Sequence, residues 1–212
     1  MIYDISPLVD ETIAVWPGDS PYEVQDLLRI EDGSSVHLST IRLSCHTGAH
    51  ADAPGHYLEG APGIDAVPLE PYLGPCHLLE APPDLKEITP AALGGLDDID
   101  LADTPRLLIR TCCQTDRSVF PQPLTALTVE LIEYLAAAGV CLVGLDSPSV
   151  DRFDSKDLPC HRALFQHGMA NLESLTLLGV PTGRYELIAL PLRLGGRDAS
   201  PVRAVLRTLP DG

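Results

Sequence analysis

The segment His46-Thr-Gly-Ala-His50-Ala-Asp52-Ala-Pro54-Gly-His56 constrains the fold of this chain more than any other stretch. Its three histidines and its aspartate all fall on even positions, so an extended backbone would aim them to one side. A straight strand would nevertheless hold His46 and His56 about 33 Å apart at roughly 3.3 Å per residue, too far to serve one ion. A shared site therefore requires bends, and Gly48 and Pro54-Gly55 supply them, glycine by tolerating positive φ and proline by fixing φ. Imidazole and carboxylate together suit zinc, manganese or iron(II), and Asp52 can offer one oxygen to each of two ions. Scattered surface histidines are the bland alternative. Six specified residue types this close together should arise by chance about once in a million chains of this size, which argues against it.

Around that segment the chain reads as α/β. Apolar runs bounded by turn residues, at Cys76–Glu80, Leu107–Cys112, Val140–Leu145, Tyr185–Leu192 and Val202–Leu206, have strand length. Between the second and third lies the clearest helix, in which Thr128 caps, Glu130 complements the N-terminal dipole and Gly139 suits the left-handed residue past the end. Strand, helix, strand makes a βαβ unit, whereas the N-terminal third is rich in strands and turns. The Pro-, Gly- and Asp-rich stretch Ala81 to Pro105 reads as a surface excursion, with Thr89-Pro90 starting a short helix that Gly94-Gly95 stops. No internal repeat or long linker divides the 212 residues, so one domain spanning 1–212 is expected.

Charge narrows the function. The net charge is −16, and residues 1–100 hold 18 acids against 3 basic residues. Such a surface repels phosphate backbones and anionic lipid, so nucleic-acid and membrane partners are not expected. Neither a signal peptide nor a long apolar run is present, and the six cysteines form no Cys-x-x-Cys pair, so a cytoplasmic protein with reduced thiols is expected. A second polar cluster, Asp146-Ser-Pro-Ser-Val-Asp151 through His161 to Asn171-Leu-Glu173, follows the Val140–Leu145 strand, so Asp146 lies where open α/β sheets usually place a site.

At these residues the sequence resembles the cyclase family of metal-dependent hydrolases, and within it the bacterial kynurenine formamidase (arylformamidase) branch. The resemblance begins at Asp4-Ile-Ser and Val15-Trp16-Pro17-Gly18-Asp19 and passes through the histidine segment to Val67-Pro68-Leu69 and Tyr72-Leu73-Gly74. It continues with Ser147-Pro-Ser-Val-Asp151, Ser155-Lys156, Leu172-Glu173 and Tyr185 to Leu192, and ends at Asp198-Ala-Ser-Pro-Val-Arg203. It implies a swivelling β/β/α domain, dimeric or tetrameric, holding two divalent metal ions, Zn2+ foremost and Mn2+ as the alternative. His46, His50 and Asp52 would hold one ion, while Asp52, His161 and Glu173 would reach the second, with Glu173 touching both. His56 would be the catalytic acid/base, and Trp16 would pack on an aromatic small-molecule substrate. The implied reaction is hydrolysis of N-formyl-L-kynurenine to L-kynurenine and formate by a metal-bound hydroxide, a step of tryptophan breakdown, with a cyclic amide such as isatin as the alternative substrate.

Ala49 stands where the wider family commonly has Thr and fits the formamidase branch; Ser174 follows Glu173 where the family more often has Gly. A serine-nucleophile mechanism finds no Gly-x-Ser-x-Gly elbow. A catalytically silent metal-binding protein would lack the acid/base, and His56 is present. The spacing of His161 and Glu173 adds a geometric condition. A continuous helix between them would separate their Cα atoms by about 18 Å, so the helix must break, with Arg162 to His167 as its turns and Gly168 with Asn171 as the break. Leu164, Phe165 and Met169 would supply its buried face.

Overall fold

A computed structural model describes residues 1–113 and 116–209; Gln114, Thr115 and the last three residues of the expected 1–212 domain lie outside the described residues. The strands are Ile2–Asp4 (β1), Glu23–Leu28 (β2), Leu38–Arg42 (β3), His50–Asp52 (β4), Leu73–Glu80 (β5), Glu87–Ile88 (β6), Arg106–Arg110 (β7), Ala126–Leu127 (β8), Leu142–Leu145 (β9), Ala170–Glu173 (β10), Gly183–Ile188 (β11), Ala199–Pro201 (β12) and Val205–Thr208 (β13). Nine of them form one curled mixed sheet in the order β1-β13-β11-β5-β7-β9-β10-β4-β12. Its centre, β5-β7-β9-β10, is parallel, and the flanking pairs are antiparallel. Among the described residues the α-helices are Val129–Ala137 (α1) and Pro159–Gln166 (α2), which join β7 to β9 and β9 to β10. The expected α/β class and the βαβ unit are both observed.

Alternation along the central strands separates two cores. Cys76 and Leu78 of β5, Leu108 of β7 and Leu142 of β9 pack on one face with Ile5, Tyr72 and Leu206. Leu107 and Ile109 of β7 and Val143 and Leu145 of β9 face the other way, against Leu131, Ile132 and Leu135 of α1 and Leu164 of α2. This period-two pattern is what a sheet buried on both faces demands. Each helix end has a local cause. Thr128 accepts a hydrogen bond from the Leu131 N–H at the start of α1. At its end Gly139, at φ 88°, lets its own N–H reach Ala136 and the Val140 N–H reach Leu135, a Schellman closure. Gly168, at φ 65°, ends α2 in the same way, with N–H bonds from Gly168 to Phe165 and from Met169 to Leu164. The break required between His161 and Glu173 is therefore there.

Several expectations are corrected. The 81–105 stretch is not a surface excursion: Ile88, Leu93, Leu96 and Leu101 are buried in the helix-side core, and β6 pairs with β8. Phe165 is exposed, because α2 is short and turns Cys160, His161, Ala163 and Leu164 inward, while Leu164 and Met169 are buried as expected. The Tyr185–Leu192 strand stops at Ile188, ahead of Pro191, which has no N–H to donate. The Val202–Leu206 run becomes strand only from Val205. Before that, Ser6 intervenes, its hydroxyl bonding the Val202 and Ala204 carbonyls and accepting the Ala204 N–H.

Candidate metal centre

The sheet order assembles the site. β4 lies between β10 and β12, antiparallel to both, so Glu173 stands opposite His50 and Ala199 opposite Asp52. His50 and Asp52 share one face of β4, as their even spacing implies. Gly48 makes the bend before the strand at φ 67°, where an added Cβ would sit 3.1 Å from Val9 Cγ2; the bend brings His46 back over the strand. After the strand, Pro54–His56 forms a single 3-10 turn that returns His56 toward His46, their ring centroids 4.3 Å apart. His161 comes from α2. Asp151 anchors it by accepting the N–H groups of Cys160 and His161 at the start of that helix, and it lies 2.7 Å from His161 Nδ1.

The ligand atoms converge. His46 Nδ1 is 3.1 Å from Asp52 Oδ1, and His50 Nε2 is 3.5 Å from both Asp52 Oδ1 and Glu173 Oε2. His161 Nε2 is 3.3 Å from Asp52 Oδ2 and 3.3 Å from Glu173 Oε1. His46, His50 and Asp52 form one trio, and Asp52, His161 and Glu173 a second, with ligand atoms within 4.8 Å of one another in each. Asp52 belongs to both. A third trio joins His46 and His56 to Asp198. Whether the residues fit a metal is tested by the buried atoms that lack partners. His50 Nε2 and Asp52 Oδ1 are buried without a hydrogen bond, although each lies close to oppositely natured groups. An unmet buried polar atom costs about 1–3 kcal/mol, and a cation among these atoms would satisfy both. The nitrogens on the far side of each ring are by contrast engaged: His46 Nε2 with Asp198 at 2.9 Å, His50 Nδ1 with the Gly48 carbonyl at 2.9 Å, and His161 Nδ1 with Asp151. That is the outer support metal-ligating imidazoles ordinarily have, and the donor set fits divalent ions.

Electrostatics agrees with the geometry. Burial alone would raise the Asp52 carboxyl, but the neighbouring His161 and His46 imidazoles hold it well below 3.8. Glu173 is raised by burial and by the Asp52 charge, and His161 and His50 bring it below its ordinary value. Burial disfavours imidazolium at His46, yet Asp52 and Asp198 outweigh it and lift its pKa to about 9. His161 is likewise raised well above 6.5 against burial, by Asp151, Asp52 and Glu173. His56 goes the other way, because burial dominates there and lowers it.

A cavity of about 460 Å³ opens over this cluster, lined by His46, His50, His56, His161 and Glu173 below and by Trp16, Phe120 and Pro148 above. That is the size of an ordinary small-molecule site. Trp16 stacks on Phe153 at 5.1 Å and meets Phe120 edge-on at 5.2 Å. Trp16, His46, His50, Asp52, His56, His161 and Glu173 thus lie at this cavity or in the trios beneath it. Sequence reasoning missed Asn171 and Asp198 as site residues. Buried Asn171 donates from Nδ2 to Asp52 Oδ2 at 2.8 Å and to Glu173 Oε1 at 3.1 Å. Its position two residues before Glu173 on one strand face was the available signal. Asp146 is corrected: it accepts from Thr111 and Cys112 and clamps the ends of β7 and β9 outside the trios.

Fold and site together define a chain that gathers a histidine–carboxylate cluster under a cavity on a curled mixed sheet. Residues 3–152 match the family model Cyclase, and the chain belongs to the Cyclase family. It is similar to the solved structure of a "potential metal-dependent hydrolase with cyclase activity", at 29% identity and a TM-score of 0.81, over 97% of this chain and 96% of that one. A "predicted metal-dependent hydrolase" from Bacillus stearothermophilus is similar at 29% identity and a TM-score of 0.79, over 97% of each chain. Isatin hydrolase A from Labrenzia aggregata, solved with benzyl benzoate, shares the fold at 24% identity and a TM-score of 0.81, over 97% of this chain and 93% of that one.

Proposed function

We propose that this chain is a metal-dependent amide hydrolase that converts N-formyl-L-kynurenine and water to L-kynurenine and formate. The observation that carries the reading is the pair of ligand trios sharing Asp52 beneath a cavity whose upper wall is aromatic. His46, His50 and Asp52 would hold one divalent ion, and Asp52, His161 and Glu173 a second. Bound there, the ions would polarise the amide carbonyl and lower the pKa of water toward roughly 7. Asn171 keeps the Asp52 and Glu173 carboxylates in register by donating to both. Trp16, braced by Phe153 and Phe120, offers an indole face to the aryl ring, and offset or edge-on aromatic contacts of this kind orient a substrate. His56, whose imidazole is kept neutral by burial, can carry a proton to the departing aniline nitrogen.

A cyclic amide such as isatin is the second reading, favoured by the fold shared with isatin hydrolase A along nearly all of both chains. It would use the same ligands and differ at the cavity wall. Turnover of N-formyl-L-kynurenine and of isatin by protein of measured metal content separates the two. The proposal expects two ions per chain and a higher kcat/KM for the formamide. Preference for isatin overturns the substrate, and full activity with one ion or none overturns the binuclear site.

A further inference from the structure

Asp198 lies outside the two trios that share Asp52 and outside the lining of the cavity, joined to His46 and His56 in the third trio. Its carboxylate is about half exposed, yet its backbone is clamped on both sides. The Ala53 N–H donates to the Asp198 carbonyl at 2.8 Å, Ala199 is registered opposite Asp52, and the Ile64 N–H donates to the Arg197 carbonyl at 2.8 Å. Gly63 lets that last contact form, because a Cβ there would come within 2.9 Å of the Arg197 oxygen. So fixed, Asp198 Oδ2 stands 2.9 Å from His46 Nε2 and 3.5 Å from His56 Nδ1. One oxygen thus faces both rings.

A third metal in this trio would conflict with the first. His46 turns Nδ1 toward Asp52, and an imidazole that gives Nδ1 to an ion keeps its proton on Nε2, where it donates to Asp198. Only His56 and Asp198 would remain to hold such an ion, fewer than the three protein ligands of a catalytic zinc. The same oxygen is instead well placed to accept a proton from His56 Nδ1, and the separation is of the kind that tightens when substrate binds.

We infer that Asp198 is a positioning residue for His56, fixing its ring in the Nδ1–H tautomer so that Nε2 is the nitrogen presented to the substrate. This rests on the proposed amide hydrolysis. There, water oxygen bonds to the formyl carbon, Nε2 takes one water proton, the C–N bond breaks, and Nε2 passes that proton to the nitrogen that leaves. The imidazole ends as it began.

The test pairs Asp198→Asn, which preserves shape, with Asp198→Ala, both saturated with zinc. Formanilide and 4-nitroformanilide are the substrates, the second having a nitrogen that leaves with little help from an acid. Loss of a positioned acid costs about 10²-fold or more in kcat on formanilide, within the usual range for acid–base help, and should cost less than about tenfold on the nitro compound. A merely structural loss lowers both equally, and that result overturns the inference. Long-range 1H–15N correlation spectra of zinc-loaded protein, assigned with His56→Gln, give a readout independent of any substrate. The wild type should show His56 protonated on Nδ1 and Asp198→Ala should not. A wild-type His56 protonated on Nε2, or a third zinc per chain that disappears in Asp198→Ala, overturns the inference as well. Wild-type protein that hydrolyses neither formanilides nor isatin overturns the proposed reaction, and the tautomer spectra then still decide the role of Asp198.

Discussion

Removing the metal should leave a centre that stores protons in its place. With its pKa at about 9 the His46 ring is cationic at pH 7, and His161 is raised in the same direction, beside two buried carboxylates held below their ordinary values. Metal ions bind neutral imidazole, so loading at pH 7 should expel at least about one proton per chain, that of His46. The sign for stability follows from the raised pKa. A group that binds its proton more tightly when folded stabilises the metal-free fold fully below its unfolded pKa, near 6.5, and that contribution is lost as pH rises through about 9. For His46 the difference is on the order of 3 kcal/mol at about 1.36 kcal/mol per unit. At roughly 2–4 °C per kcal/mol for a chain of this size, the chelator-treated protein should melt roughly 6–12 °C lower at pH 9.5 than at pH 6. Zinc-loaded protein should lack that drop over the same interval. Proton release is read with an indicator dye in weak buffer, and melting by circular dichroism. Zinc uptake without proton release, or the same drop in loaded protein and in metal-free His46→Gln, would refute the account of His46 as the proton store.

His56→Ala should keep the full metal content while kcat falls about 10²–10⁴-fold, and stoichiometric loss of an ion would make His56 a ligand instead. Asp151→Asn weakens the support 2.7 Å from His161 Nδ1, so competition with a chelator should show about 10–100-fold weaker metal binding; unchanged affinity excludes that role. Gly144→Ala would put a Cβ 2.5 Å from Leu108 Cδ2 and 3.0 Å from Leu175 Cδ1, an overpacking of about 1–3 kcal/mol, and an unaltered melting temperature would show that the core yields there. Ser174→Gly should raise stability by about 1 kcal/mol, read in a denaturant titration, because Ser174 sits at φ 56°, where a Cβ is disfavoured.

What the sequence disclosed and what it hid divide by the range of the interaction responsible. Thr128 and Gly139 bound α1 through bonds made within a few residues, so both ends were legible. The histidine segment was legible for another reason: imidazoles are uncommon, and their density stands out whatever the chain does around them. Asn171 and Asp198 are ordinary polar residues, and their placement exists only because β4 enters the sheet between β10 and β12, pairing the fifties with the one-seventies and with residue 199. No local periodicity encodes such a pairing, and for the same reason the buried side of the 81–105 stretch was invisible until β6 met β8. Ser174 joins the two ranges. Its place after Glu173, where the family more often has Gly, could be read from the chain, but the meaning of that departure could not. The left-handed turn there lets the Ser174 and Leu175 N–H groups bond back to Ser147 and Leu145 while Glu173 remains opposite His50. A backbone conformation that disfavours any side chain is therefore held by the pairing that positions a candidate ligand, and strain of this kind is retained where surrounding contacts over-determine it.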